Sequence, residues 1–151
     1  MILTAVERAF LEAARRATLA TIDGDGRARL VPICFVMAQW AAAGSGHVLY
    51  SPLDEKRKSV ADPLALARVR DIIARPGVSL LVDRWSEDWS RLGWLRIHGQ
   101  ASLVPAGAAP AAILDQLRTK YPAYLDHRLE DRPGIAIIVE RASAWGDLDP
   151  D

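Results

Sequence analysis

The chain opens with a pattern of apolar and polar positions that predicts a short helix. Thr4 and Glu7 have the spacing of a capping box, in which each side chain accepts a hydrogen bond from the backbone N–H of the other residue. Apolar side chains then recur at helical spacing, at Val6, Phe10, Ala13 and Ala14. We therefore predict an amphipathic helix over residues 4–15 whose apolar stripe packs against the rest of the molecule.

Two β-prone runs on either side of a glycine-rich turn predict a hairpin directly after this helix. Its arms are residues 18–22 and 27–37, and Asp23-Gly24-Asp25-Gly26 connects them. Aspartate and glycine tolerate the positive φ angles that such turns require. Pro32 has no backbone N–H to donate, so it marks an edge, a bulge or a strand end within the second arm.

The remainder of the chain alternates between strand and helix patterns. Four more segments read as strands: residues 47–51, 78–82, 94–104 and 135–139. Gly99, inside the third of them, predicts a β-bulge. One helix begins at Asp62-Pro63 and ends before Pro76-Gly77, and another covers residues 106–119. The first of these two helices has a predicted buried stripe of Leu66, Val69, Ile72 and Ile73.

These elements predict a mainly β fold. Six strands and three helices without strict β–α–β alternation favour an antiparallel barrel with peripheral helices over a parallel doubly wound sheet. The length of 151 residues is typical of one domain, so we expect a single domain over the whole chain. Hydrophobic residues make up 50% and charged residues 25% of the sequence, which excludes the composition of a disordered chain.

The charge balance limits the classes of partner. Nineteen basic residues offset nineteen acidic ones, so no net charge attracts nucleic acid or an anionic membrane. No apolar run approaches the roughly 20 residues that cross a bilayer, and the N-terminus lacks the layout of a signal peptide. We therefore expect a cytoplasmic protein with no nucleic-acid or membrane partner. Cys34, the only cysteine, is expected to be a small core side chain.

Familiar catalytic motifs are absent from the sequence. It contains no Gly-x-Gly-x-x-Gly, no phosphate loop and no nucleophile elbow. Isolated histidines at positions 47, 98 and 127, with one cysteine, do not have the spacing of a metal site. An enzyme without its own nucleophile or metal takes its reactivity from a cofactor, so we expect no essential catalytic side chain and no metal.

A cluster of cations is the strongest local feature. Lys56, Arg57 and Lys58 directly follow a predicted strand, and Arg68 and Arg70 lie in the helix after them. Loop cations beside a helix N-terminus can hold a phosphate, whereas the alternative is a solvated basic loop. Arg68 and Arg70 point about 200° apart on a helix, so both cannot hold one phosphate, and we prefer Arg70.

Several of these segments resemble the pyridoxamine 5′-phosphate oxidase-like superfamily. Residues 17–33 are similar to its first hairpin, and the resemblance continues through Tyr50-Ser51-Pro52, the Lys56–Lys58 cluster and residues 68–80. Residues 94–101, with Gly99, resemble a later strand of the family. The most similar pattern is that of the branch identified as probable coenzyme F420-dependent enzymes, and the resemblance spans roughly residues 16–104.

The resemblance implies a six-stranded split β-barrel that works as a homodimer. It implies a coenzyme F420-dependent oxidoreductase, with cofactor held at the subunit interface and a hydride transferred between the deazaflavin and a small organic acceptor. The alternatives are an FMN-binding oxidoreductase and a non-catalytic flavin- or haem-binding protein. The residues that it places against the ring are Leu19, Ala20, Thr21, Val31 and Pro32. The residues that it places around the phosphate are Ser51, Lys56, Lys58 and Arg70.

Some side chains near these positions allow two interpretations. Asp71 stands where relatives often have Asn, and a carboxylate beside a phosphate is unfavourable unless a cation pairs with it. His98 is either a hydrogen-bonded structural histidine or a contact to substrate or ring. Arg27 and Arg29 are either solvated or meet the acidic tail of a deazaflavin. Three tryptophans are close together in the sequence: Trp85, Trp89 and Trp94. They either pack in the core or in a dimer interface, or cover one side of a bound ring.

Overall fold

The computed structural model describes residues 2–40, 47–53 and 66–150. Within those ranges it contains three α-helices: α1 (Ala5–Ala13), α2 (Ala67–Ala74) and α3 (Ala111–Lys120). The strands are β1 (Ala17–Ile22), β2 (Ala28–Ile33), β3 (Val36–Gln39), β4 (His47–Pro52), β5 (Gly77–Arg84), β6 (Gly93–Val104) and β7 (Gly134–Gly146). They form one sheet in the order β2-β1-β5-β6-β7-β4-β3, with antiparallel pairing throughout.

The antiparallel, mainly β architecture is confirmed, but the prediction of a six-stranded barrel is wrong. The described sheet has seven strands and is not closed, because β2 and β3 are the two ends of its order. The segment that was predicted as one arm, residues 27–37, breaks after Ile33. Its second half crosses to the other end of the sheet, where Val36 pairs with Tyr50 of β4. The predicted end or edge at Pro32 is confirmed.

The turns and caps agree with the local sequence. Thr4 and Glu7 form the predicted capping box, with both N–H···O distances at 3.1 Å. In the first hairpin the Asp23 side chain accepts hydrogen bonds from the N–H groups of Asp25 and Arg27, each at 2.9 Å. Gly26 has a φ of 79°, a conformation that favours glycine.

Several predicted details of the helices are wrong. Val6 is 49% exposed, and Leu11 is buried beside Phe10 in its place. Ile73 of the predicted α2 stripe is 68% exposed, although Leu66, Val69 and Ile72 are buried as predicted. The predicted start of α2 at Asp62-Pro63 lies outside the described residues. The helix α3 begins at Ala111 rather than at residue 106. Outside the helices, Cys34 is half-buried rather than a core residue. No described helix is long and apolar enough to span a bilayer.

The predicted bulge at Gly99 is confirmed. The register between β6 and β7 shifts between His98, which pairs with Arg141, and Gly99, which pairs with Val139. Glu140 is therefore the extra residue on β7. A Cβ at Gly99 would collide with the backbone carbonyl of Ile138, so this close approach of two strands requires glycine. β7 continues to Gly146 and is much longer than the predicted residues 135–139.

Apolar side chains form two cores, one on each face of the sheet. The inner face packs against α1 and α2 and includes Leu19, Leu80, Ile97 and Ile137. On the outer face, α3 packs over β3, β4 and the first half of β7, with Tyr50, Leu117, Tyr124 and Ala136 in the contact. We call this region the covered outer face. The outer sides of β2, β1, β5 and β6, with the second half of β7, are called the bare outer face.

Apolar side chains remain exposed on the bare outer face. Ile22 is 36% exposed, Leu81 39%, Trp145 55% and Leu30 66%. Strand alternation explains the exposure of Leu81, because its neighbours Leu80 and Val82 are in the inner core. The described part of the chain thus leaves an apolar surface on one side of its own sheet.

Candidate functional site

The residues predicted to contact a ring divide between the two faces of the sheet. Leu19 and Thr21 are fully buried on the inner face of β1, and Val31, which pairs with Leu19, packs against the same core. Ala20 is half-buried and Pro32 is exposed, and both belong to the bare outer face. Successive side chains of a strand point to opposite faces, so Ala20 and Pro32 lie opposite the other three, and the common role of the five residues stays a prediction.

The residues predicted to hold a phosphate are only partly described. Lys56 and Lys58 lie outside the described residues. Ser51 is 5% exposed and follows Tyr50 on β4, so its side chain is on the inner face. Arg70 is exposed on α2. The described residues therefore do not bring the predicted phosphate ligands into one cluster, and their common role stays a prediction.

Asp71 has the paired cation that a carboxylate at this position requires. It is 6% exposed, and its Oδ2 accepts hydrogen bonds from Thr21 Oγ1 at 2.7 Å and from Arg29 Nε at 2.8 Å. Burial by itself raises the pKa of Asp71, but the bonds from Thr21 and Arg29 outweigh it and hold the pKa below its ordinary value. Arg29 forms this ion pair while its side chain stays 41% exposed, so it is partly solvated, and its contact to an acidic tail stays a prediction.

The bare outer face contains a groove with a cavity volume of about 290 Å³. We call it the outer-face groove. Its lining comes from four strands: Ala20, Ile22, Gly77, Val78, Ser79, His98, Gly99, Gln100, Glu140 and Arg141. Small side chains at Ala20 and Gly77 leave the backbone accessible. Hydrogen-bond donors stand around them on His98, Gln100 and Arg141.

Strand register aligns part of this lining in one row. Leu30 pairs with Ala20, Ala20 with Ser79, Ser79 with His98 and His98 with Arg141. The row crosses five strands and therefore measures roughly 19 Å, from an apolar end at Leu30 to a cationic end at Arg141. Sequence reasoning missed Ser79, Gln100 and Arg141. In the sequence these residues are marked only by their alternation with core residues. That alternation shows that they lie near one another only when the strand pairing is known.

His98 is fixed in the groove by a neighbouring strand. Its Nδ1 lies 2.7 Å from Oγ of Ser79, its cross-strand partner. The hydrogen-bonded interpretation of His98 is therefore confirmed, and the same side chain also lines the groove. Because Ser79 occupies Nδ1, the described contacts leave Nε2 as the ring nitrogen available to a bound molecule.

Four tryptophans lie outside the two cores of this chain. Trp94 and Trp145 are directly paired across β6 and β7 on the bare outer face. The guanidinium of Arg96 lies 5.1 Å from the ring centroid of Trp94. Trp85 and Trp89 are 68% and 71% exposed, so they do not pack in the core of this chain.

A second cavity, of about 630 Å³, lies between α1, β3 and α3. Its lining includes two carboxylates, Glu12 and Asp115, and the amine of Lys120. The Lys120 Nζ donates to the Phe35 carbonyl at 3.0 Å and lies 4.0 Å from the Phe35 ring centroid. Burial lowers the pKa of Lys120 to about 8. Two carboxylates disfavour an anionic cofactor here, so the larger cavity is the poorer candidate.

The donor set of the outer-face groove suits a flat heteroaromatic ring. Small residues at the base of the groove leave space for a planar group. The donors of His98, Gln100 and Arg141 can form hydrogen bonds with carbonyl oxygens and ring nitrogens of such a group. The described residues contain no group of three or more side chains that could hold a metal ion. The arrangement can therefore bind and orient a cofactor ring, whereas no described cluster supplies metal chemistry.

Comparison with known proteins identifies the family of this chain. The family model described as pyridoxamine 5′-phosphate oxidase matches residues 3–146. A search of curated protein sequences finds no match.

Three solved structures illustrate how widely this fold is used. An F420 reductase is 23% identical and has a TM-score of 0.61, with 90% of this chain and 94% of that chain covered. An FAD-binding protein from Mesorhizobium loti is 20% identical at a TM-score of 0.61, with coverages of 94% and 92%. HutZ, the haem storage protein from Vibrio cholerae, is 16% identical at a TM-score of 0.63, with coverages of 97% and 95%. At these identities the likeness shows the fold.

Proposed function

Because the chain belongs to the pyridoxamine 5′-phosphate oxidase family, we propose that it is a homodimeric oxidoreductase that uses coenzyme F420, with FMN as the alternative cofactor. The observation that carries this proposal is the outer-face groove, where small residues and hydrogen-bond donors lie on a sheet face that also exposes apolar side chains. When bound, the cofactor supplies or accepts the hydride, and a small organic molecule is the acceptor. The chain binds the ring, orients it and excludes water from it.

A second copy of the chain is the proposed cover of the bare outer face. Exposed apolar side chains on a sheet face are typical of protein–protein contacts, and the exposed aromatic Trp145 strengthens this argument. A ring in the groove would then lie between two subunits. Apolar side chains such as Leu30 and Leu81 would contribute to burial, and polar ones such as Gln100 would fix the orientation of the ring.

Charge around the groove favours a cofactor with an acidic tail. Arg141 and Arg96 lie in neighbouring rows of the bare outer face, on β7 and β6. The acidic tail of F420 needs an open, basic path out of the ring site, which FMN does not. The F420 reductase among the structural neighbours supports the same choice. Lys56, Lys58 and Arg70 are the proposed phosphate ligands.

Titration of the purified protein with F420, FMN and haem, followed by fluorescence and absorbance, tests this function. We expect F420 to bind most tightly. Each of Lys56→Ala and Lys58→Ala should weaken F420 binding about tenfold or more, because each removes a charge-assisted hydrogen bond to phosphate. The matched control is Arg128→Ala, which removes an 82% exposed cation elsewhere and should leave the affinity unchanged.

Two results would contradict the proposal. Unchanged F420 and FMN affinity in both lysine variants would mean that Lys56 and Lys58 do not hold the phosphate. Haem binding with a strong Soret band, together with no binding of F420 or FMN, would instead indicate that the chain is a haem-binding protein. The molar mass in sedimentation is a separate test of the homodimer.

A further inference from the structure

We propose that His98 donates a proton to the acceptor in the outer-face groove and that Ser79 positions its ring for this step. The inference rests on the proposed function and extends it with the residue that supplies the proton when the acceptor has a polarised double bond, such as an α,β-unsaturated carbonyl. Reduction of such a bond needs a proton as well as a hydride, and a cofactor ring alone leaves the source of that proton open.

The groove offers few candidates for a proton donor. Its ionisable lining consists of His98 from β6 and of Glu140 and Arg141 from β7, whereas β1 and β5 contribute only small, apolar or hydroxyl side chains. Arginine does not release its proton in proteins. Glu140 is the exposed extra residue of the bulge. Histidine is the side chain that most often transfers protons in enzymes, and His98 stands between Ser79 and Arg141 in the row that crosses the groove.

Ser79 determines which nitrogen of His98 exchanges its proton. In the assignment that we propose, Nδ1–H donates to Ser79 Oγ across the 2.7 Å contact, and this proton stays in place. Nε2 then carries the second proton of the imidazolium and is the nitrogen left for the groove. Ser79 is itself fixed, because its strand neighbours Val78 and Leu80 are buried in the inner core. Gly99 keeps β7 close, and the bulge places Arg141 opposite His98.

The reaction balances with one hydride and one proton. The hydride brings two electrons and forms a C–H bond at one carbon of the acceptor double bond, and the π pair of that bond moves to the other carbon, from which the conjugated carbonyl oxygen can share it. The Nε2–H bond of the His98 imidazolium breaks, and its proton forms the second new bond of the acceptor. His98 remains as a neutral ring with its proton on Nδ1, and water returns a proton to Nε2.

Nitrogen-15 NMR of the histidine rings tests the positioning part without any cofactor. We expect the neutral ring of His98 to carry its proton on Nδ1 in the wild-type protein. Ser79→Ala should abolish this preference, and Ser79→Thr, which keeps the hydroxyl, should retain it. A wild-type ring that is protonated on Nε2 and unprotonated on Nδ1 would overturn the role of Ser79.

Kinetics with reduced F420 and 2-cyclohexenone as the probe acceptor test the donor itself. His98→Asn keeps a polar group near Ser79 but cannot donate a proton, so kcat should fall by about 10²–10⁴-fold while KM and F420 affinity change little. His98→Gln is the second variant in case the first folds poorly. The matched control is His127→Asn, because His127 packs against Tyr124 on the covered outer face.

The outcomes separate this inference from the proposed function. Failure of the wild-type protein to bind F420 or FMN contradicts the proposed function. If F420 binds, an unchanged kcat in both His98 variants overturns the donor role. An absence of 2-cyclohexenone turnover by F420-loaded wild-type protein also overturns it, because that protein would then have both reactants without the predicted chemistry.

Discussion

The two halves of the outer sheet face have similar alternating strands but different surroundings. On the covered outer face, Tyr50 is 1% exposed beneath α3, which contributes Leu117 at 0%. On the bare outer face, Leu30 is 66% and Leu81 39% exposed. The difference therefore lies in what packs on the strands. The bare half exposes apolar side chains where the covered half buries them, and a second subunit is its proposed cover.

Details of the covered half show what close packing requires. The ring of Tyr50 lies directly over Gly134, where any Cβ would collide with it. Burial raises the pKa of Tyr50 to about 12, since the charged phenolate would have to exist away from water. The outer-face groove instead has half-buried polar groups such as Ser79 and His98. One half is closely packed, whereas the other presents half-buried polar groups at its surface.

The largest expected difference between the halves is in the cost of removing a leucine side chain. Leu117→Ala should lower the free energy of unfolding by about 2–5 kcal/mol, because it leaves a cavity in the core under α3. Leu30→Ala, the matched change on the bare outer face, should change the stability of the monomer by less than about 0.5 kcal/mol. Urea denaturation at low protein concentration measures both. Equal losses would mean that the two halves are not distinct.

A smaller effect is expected at the carboxylate that links α2 to the first hairpin. Asp71→Asn should reduce the free energy of unfolding by about 1–3 kcal/mol at neutral pH, because Thr21 and Arg29 lose a charged acceptor. The folded-state pKa of Asp71 lies below its ordinary value of 3.8, so this contribution is complete above that value. It is lost as the pH falls through the lower, folded-state value.

Denaturation at a series of pH values measures this contribution. The stability of wild type and Asp71→Asn should converge as the pH falls below 3.8, since the wild-type carboxyl then becomes protonated as well. A difference that stays constant over that range would show that shape, rather than charge, determines the effect of Asp71.

How much the sequence predicts depends on whether a feature is local. The capping box at Thr4, the turn at Gly26 and the bulge at Gly99 involve neighbouring residues or one constrained glycine, and all three are confirmed. The crossing of β3 to the other end of the sheet, and hence the strand count, depends on pairing between distant strands. Residue patterns along a single segment contain no record of that pairing.

The same distinction explains the candidate site. Arg29 pairs with Asp71, which is 42 positions away, so its role was not visible in the hairpin alone. Ser79 and Arg141 join His98 only through strand register. Prediction by family position named consecutive residues such as Leu19 and Ala20, whose side chains point to opposite faces. Positions along a chain carry over between relatives more easily than the direction of each side chain.

A further prediction concerns the cover of the bare outer face. Leu81→Arg should weaken self-association about tenfold or more, because it places a charge in the proposed dimer contact. Leu125→Arg is the matched control, since Leu125 is 68% exposed on a short 3₁₀ segment after α3. Sedimentation velocity over a range of concentrations measures both. Wild-type protein that is monomeric at every concentration would leave the cofactor without a second subunit to cover it.

The smallest expected effect is at an ion pair of the covered half. Arg118 holds Glu130 through two hydrogen bonds of 2.7 and 2.9 Å, and these bonds lower the pKa of Glu130 to about 2. The Glu130 side chain is 57% exposed, however, so water and salt screen most of the attraction. Glu130→Gln should therefore shift the urea midpoint only slightly, and Arg118 keeps its bonds to the carbonyls of Tyr124 and His127.

The direction of its pH dependence follows from the lowered pKa. The contribution of Glu130 is present above the ordinary value of 4.5 and is lost as the pH falls towards about 2. The effect of Glu130→Gln should therefore be visible at neutral pH and vanish in acid, at low salt more clearly than at high salt. If this variant were as unstable as Leu117→Ala, the covered half would depend on charge rather than on buried apolar packing, and the contrast between the two halves would need a different physical cause.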